Sequence, residues 1–254
     1  MPFFVLYRLY FAIVFFLVLF LLYPVFALLL RKEKNFEKVH KLKVFTAKLI
    51  LFLQFYFIKK TKNSIQKPEG TFVVCANHQS YLDIIAMYPL MGKTKFLFLG
   101  KSELLHWPLI NIFFRNFDIA IDRNKRHAAM RSIELAKDAL KKGWSIVIFP
   151  EGGIFPEAPE MVNFKNGAFK MALDTGVPIL PLTIVDNWKL FDSDNLIFSR
   201  AHPGISRYQF HEPIPTESLS KEDLIPLRSI THKTIEKGLI EAGVIKEKPE
   251  DGNK

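Results

Sequence analysis

The chain has 254 residues, 49% of them hydrophobic, with 35 Lys and Arg against 25 Asp and Glu for a formal net charge of +10. A single cysteine, Cys75, excludes a disulfide within the chain, and its place in an apolar run marks a buried thiol, not a nucleophile. The histidines and carboxylates form no compact metal-ligand pattern, so neither a metal nor another cofactor is expected, and the basic excess comes without a nucleic-acid module, which points to anionic membrane phospholipids and away from nucleic acid.

Residues 10–30 are apolar apart from tyrosines and Pro24, long enough to cross about 30 Å of hydrocarbon, and predict a helical membrane anchor. Arg31-Lys32-Glu33-Lys34 follows without a small-residue cleavage site, which argues against a cleaved leader. Its charge favours a cytoplasmic exit, an asymmetry that Arg8 weakens. A second apolar stretch, 44–58, is interrupted by Lys48 and Gln54 and closed by Lys59-Lys60; it reads as an amphipathic or shallowly inserted helix with lysines reaching the headgroups. Paired as an antiparallel hairpin, the two segments would keep the rest of the chain at the cell inner membrane, on the cytoplasmic side. The expected organisation is an anchoring segment over 1–62, one domain over 63–245 and a polar tail over 246–254.

The domain opens on a short buried strand, 71–76, that runs into Asn77-His78-Gln79-Ser80-Tyr81-Leu82-Asp83 and a helix. Residues 95–99 read as a strand, helical spacing over 102–114 is broken by Pro108, and the strand 119–121 ends at Asp122-Arg123. An amphipathic helix over 128–142 precedes the strand 145–149, which ends at Pro150-Glu151-Gly152-Gly153, where glycines let backbone approach a ligand. Residues 164–175 form a helix, Gly176 and Pro178 mark the passage to a strand over 179–185, residues 207–210 add an edge strand, and 227–242 form a terminal helix after Pro226. The alternation gives an α/β fold. Polar residues that follow three separate strands could converge where open α/β sheets hold ligands.

His78 sits at a strand end with Asp83 in the first turns of the next helix. In that geometry Asp83 fixes the imidazole tautomer while the other ring nitrogen takes a proton from a hydroxyl, making a bound alcohol the nucleophile. Glu151 and Arg123 occupy equivalent positions after neighbouring strands. Taken singly, these residues suit a cap, a solvated turn and a surface charge equally well.

As a set they resemble the glycerolipid acyltransferases, the family that contains bacterial 1-acyl-glycerol-3-phosphate acyltransferases. Asn77-His78-Gln79-Ser80-Tyr81-Leu82-Asp83 is similar to the first family block, Ile121-Asp122-Arg123 to the end of the second, Phe149-Pro150-Glu151-Gly152 to the third and Val177-Pro178-Ile179-Leu180-Pro181-Leu182 to the fourth, with Phe164-Lys165-Asn166-Gly167-Ala168-Phe169 leading into it. The resemblance implies a mixed sheet flanked by helices. It implies that His78 is the general base oriented by Asp83, and that a lipid hydroxyl attacks the thioester of acyl-coenzyme A or acyl-acyl-carrier protein, the co-substrate. It also implies that Arg123 meets the acceptor phosphate and that Glu151 and the Gly152 backbone hold the acceptor. An arginine fork suits phosphate, and a carboxylate accepts from hydroxyls.

The third block departs from the family pattern: Gly153-Ile154-Phe155 stands where many members have Thr-Arg-Ser. Lys101, Arg115 and Lys165 are the candidates to replace the missing arginine at a phosphate. The acceptor expected is 1-acyl-glycerol-3-phosphate, the product phosphatidic acid. The alternatives are another lysolipid or an amino-acid lipid as acceptor, and a non-catalytic lipid-binding protein, which intact His78, Asp83 and Glu151 disfavour. The sequence carries nothing on acyl length, donor type or oligomeric state.

Overall fold

The computed structural model describes residues 2–122, 124–195 and 197–247. Its elements are, in chain order, α1 (Pro2–Leu29), α2 (Phe36–Leu53), β1 (Tyr56–Lys60), β2 (Val73–Ala76), α3 (Leu82–Met91), β3 (Phe96–Lys101), α4 (Asn111–Asn116), β4 (Ile119–Ile121), α5 (Arg126–Lys141), β5 (Ser145–Ile148), α6 (Gly167–Thr175), β6 (Ile179–Ile184), α7 (Asn187–Leu190), β7 (Gly204–Phe210) and α8 (Leu224–Glu241). Every residue of β2, β5 and β6 is buried, as their unbroken apolar runs require of strands covered on both faces. Alternate side chains enter opposite cores. Val73 and Cys75 of β2 meet α5 and α6 residues such as Ala136 and Phe169, while Val74 and Ala76 meet Ala86 and Met87 of α3.

The seven strands form one sheet in the order β1-β7-β6-β2-β5-β3-β4. From β6 to β4 neighbouring strands are parallel, so their C-terminal ends share one edge, whereas β7 runs antiparallel to β6 and β1 parallel to β7. This is the expected mixed α/β sheet flanked by helices.

Two sequence expectations change. Residues 207–210 do not form an edge, because β1 pairs with β7 from Tyr56–Gly204 to Lys60–Tyr208. The residues that cover it come from the segment expected to be a helix over 44–58, where α2 ends at Leu53 and Phe55 takes a positive φ of 57°. The segment 1–62 thus contributes the outermost strand of the sheet as well as helices. The second candidate helix, α2, is amphipathic: Val39, Lys43, Thr46, Ala47, Ile50 and Leu51 are buried along one face. The Lys43 ammonium pairs with the Asp118 carboxylate and lies over the Phe113 and Phe117 rings, while Asp118 also accepts from the Phe98 N–H at 3.0 Å, tying α2 to β3.

α1 is long and apolar enough to cross a membrane, and its most apolar stretch is 17% buried. It is nevertheless held against the domain at both ends. Near its start the Tyr7 hydroxyl donates to the Gln54 carbonyl at 2.6 Å and the Phe11 ring lies 4.6 Å from Phe191. Near its end Phe26 is buried and meets Phe113 edge-on at 4.8 Å. Those contacts are roughly 20 Å apart along a helix rising 1.5 Å per residue. α1 therefore lies along the domain, with Leu6, Leu9, Ile13, Phe16, Phe20 and Leu28 exposed on its outer side.

Candidate active site

Parallel strands deliver the polar residues that follow them to a common edge. Ala76 ends β2 and His78 follows; Ile148 ends β5 and Glu151 follows; β3 ends on Lys101; Ile184 ends β6 and Asn187 follows. The β2 and β6 ends are locked together by Asn77, whose amide donates to the Ile184 carbonyl at 2.8 Å and accepts from the Ile184 N–H at 2.7 Å.

His78 lies in the bend before α3 and Asp83 in its first turn. The His78 Nδ1 is 3.0 Å from Asp83 Oδ2, and the same oxygen accepts the N–H groups of Gln79 at 2.8 Å and Ser80 at 2.9 Å. Asp83 Oδ1 accepts the Asn187 amide at 2.8 Å. Asp83 is fully buried, so these donors replace its hydration shell and hold a charge that the interior would otherwise reject. A carboxylate beside Nδ1 places the imidazole proton there and leaves Nε2 with a lone pair. Phe149 stacks on the imidazole at 4.0 Å and 13°, fixing the ring plane, and the His78 side chain is 11% exposed.

Glu151 joins the two blocks. One oxygen accepts the His78 N–H at 2.7 Å and the other the Val162 N–H at 3.3 Å, with the residue 3% exposed. Burial pushes its carboxyl up to about 7 against those two N–H groups, and the nearby Asp83 charge pushes the same way. The next residue, Gly152, has φ 93° and donates its N–H to the Phe149 carbonyl at 3.0 Å, a turn that suits glycine.

Lys101 is brought to the departing part of the third block: a β-carbon added to Gly153 would lie 3.1 Å from the Lys101 Nζ. Lys165 is exposed on the approach to α6, its N–H donating to the Pro150 carbonyl at 2.8 Å. Arg115 is exposed on α4 and forms no ion pair with a described residue. Arg123 lies outside the described residues. Among the described residues no cluster of His, Cys, Asp and Glu could hold a metal ion.

Asn187 and Phe149 hold the His–Asp pair without having been singled out in the sequence. Their signal is the one that revealed His78: Ile184-Val185 runs into Asp186-Asn187 as Ile148-Phe149 runs into Pro150-Glu151. Asp186 secures the start of α7 by accepting both Nε and Nη2 of Arg207, at 2.7 and 2.8 Å.

The family model described as Acyltransferase matches residues 57–185, the part of the chain that builds this strand edge. The chain belongs to the acyltransferase family. This family member is 30% identical to an uncharacterized acyltransferase of Schizosaccharomyces pombe, over 74% of the chain and 67% of the relative. It is 34% identical to a probable 1-acyl-sn-glycerol-3-phosphate acyltransferase of Mycoplasma pneumoniae, over 60% of the chain and 57% of the relative. A match to such an enzyme of Chlamydomonas reinhardtii covers 45% of that relative, so the chain spans about half to two thirds of the length of these proteins. The crystal structure of the 1-acyl-sn-glycerophosphate acyltransferase PlsC from Thermotoga maritima superposes with a TM-score of 0.72 at 25% identity, over 97% of this chain and 98% of that one.

Proposed function

We propose that this acyltransferase-family protein moves a fatty acyl group from acyl-CoA or acyl-acyl-carrier protein to the free hydroxyl of 1-acyl-glycerol-3-phosphate, forming phosphatidic acid. The observation that carries the reading is His78 Nδ1 at 3.0 Å from an Asp83 held by Gln79, Ser80 and Asn187. Nε2 takes the hydroxyl proton as the alkoxide oxygen bonds to the thioester carbonyl carbon. Collapse of the tetrahedral intermediate breaks the carbon–sulfur bond, and the thiolate recovers the proton from the imidazolium. Asp83 stabilises that cation and keeps its own charge. The names of the matched relatives support 1-acyl-glycerol-3-phosphate as the acceptor.

In this reading Glu151 acts through His78, whose main chain it holds, and the phosphate is met by Lys101 over Gly153 together with Arg123. Trp107, 6.5 Å from Tyr81, and Phe155, beside Gly153, are partly exposed apolar surfaces that suit an acyl chain. α1 beds lengthwise in the lipid surface with its exposed apolar side down. In this reading the site stands beside the inner membrane on its cytoplasmic side, where acyl donors are available, and the basic stretch Arg31-Lys32-Glu33-Lys34 supports that side. Gly153-Ile154-Phe155 favours a second reading with the same chemistry and another lysolipid as acceptor.

Membranes containing the protein, supplied with an acyl donor and a panel of lysolipids, test both. Phosphatidic acid formed in preference to other products, and lost in His78→Ala, supports the first. Selectivity for another lysolipid transfers the assignment to the second, and activity unchanged in His78→Ala defeats the mechanism.

A further inference from the structure

Arg8 is the one charged residue of α1 and is 5% exposed, an expensive setting for a guanidinium unless its donors are satisfied. Among the described residues, Ser199, Asp192 and Arg200 of the segment after α7 accept from it. Nε donates to the Ser199 carbonyl at 2.8 Å, Nη2 to the Asp192 carbonyl and to the Arg200 carbonyl at 3.3 Å, and the guanidinium lies 4.5 Å above the Phe191 ring. That segment in turn holds the His78 block. The Phe191 carbonyl accepts the Ser80 hydroxyl at 2.6 Å and the Ser193 hydroxyl accepts the Tyr81 N–H at 3.1 Å, while Asn187, at the start of α7 just before the segment, donates to Asp83. In the same segment Ile197 and Phe198 are more than half exposed, their N–H groups held by Asn195 Oδ1 at 2.9 and 3.0 Å.

We propose that Arg8 is a positioning residue: it pins the chain around Phe191–Ser193 and Ser199–Arg200 to α1, and that chain fixes Ser80 and Tyr81, whose neighbour Asp83 accepts the Ser80 N–H, so the seating of α1 in a lipid surface sets the geometry of the His78–Asp83 pair. The planar fork is the group that can reach several carbonyls in diverging directions at once, which an ammonium does not reproduce. The inference rests on His78-dependent acyl transfer as the function.

The test uses the full chain in vesicles of phosphatidylglycerol and phosphatidylethanolamine, with an acyl-CoA and 1-acyl-glycerol-3-phosphate, and follows kcat, KM, vesicle flotation and thermal unfolding. Arg8→Met keeps α1 apolar, so flotation and KM stay near wild type while kcat falls by about 10- to 100-fold, the loss expected when a remote change misplaces the reacting groups. Arg8→Lys recovers part of that loss. Ser193→Ala, which deletes an acceptor on a partly exposed loop, gives a smaller fall in kcat, and the double variant loses less than the product of the two single losses because both act through one chain of contacts. A wild-type kcat in Arg8→Met overturns the proposal, as do a loss that tracks flotation or thermal stability and effects of Arg8→Met and Ser193→Ala that simply multiply. Should Arg8→Met not fold, Ser193→Ala decides alone: lowered kcat with KM retained supports the linkage, and unchanged kcat overturns it. Wild-type activity in His78→Ala would instead mark failure of the functional reading.

Discussion

The two blocks that meet at the site are built differently. After β2, a buried carboxylate is met by His78, Gln79, Ser80 and Asn187, and an aromatic ring covers the imidazole face. After β5, the one carboxylate is occupied by backbone N–H groups, and Gly153 leaves space into which the exposed Lys101 leans. The first block has no slack and the second has an adjustable cation. On the proposed function, chemistry that needs a fixed base belongs to the former, and the choice of headgroup to the latter.

The largest effect expected is on the rigid side. His78→Ala should lower kcat by about 10²–10⁴-fold, and Asp83→Asn, which leaves the shape but no longer enforces the Nδ1 proton, by a similar order. Steady-state rates with retained vesicle binding check both, and an Asp83→Asn variant at wild-type rate would break the comparison. Glu151 bridges the two sides, and its carboxyl, raised to about 7 when folded against 4.5 when unfolded, makes the folded state bind the extra proton between those values. Its contribution is complete below the unfolded value and is lost as pH rises through about 7, up to roughly 3 kcal/mol. Denaturant titrations at pH 5 and 8 should show that loss in the wild type and a flatter slope in Glu151→Gln; equal slopes would remove Glu151 as the bridge.

On the adjustable side, Lys101→Met should raise KM for a phosphate-bearing acceptor by about 10-fold with kcat little changed, the worth of one hydrogen bond to a charged group. The smallest effect belongs to Gly153→Thr. Its β-carbon would meet the Lys101 Nζ at 3.1 Å, so the flexible lysine gives way and the same KM rises by about 2- to 3-fold. A kcat loss in either variant would place Lys101 with the reacting atoms instead of the headgroup.

Much of this was legible in the sequence, because a strand buried on both faces has nothing but apolar residues to offer: Val73 to Ala76 and Ile146 to Ile148 announce themselves, and the polar residues after them mark the edge. β1 was hidden, since Tyr56-Phe57-Ile58 continues the apolar run of α2 and the break at Phe55 carries neither glycine nor proline. β7 read as an edge because Ser206, Arg207 and Gln209 are polar; their partners, Asp186 for Arg207 and Glu241 for Gln209, come from other elements. The identity of Glu151 was visible but its bond to the His78 main chain was not, because a backbone N–H leaves no mark on residue type.

A helix clasped at both ends by one domain cannot carry those ends to opposite sides of a bilayer. With Phe11 on Phe191 and Phe26 on Phe113, an α1 bedded in lipid as proposed would displace lipid from a single leaflet. A reporter fused ahead of α1 and another fused after α8 would therefore answer to the same protease, added to the same side of a sealed vesicle.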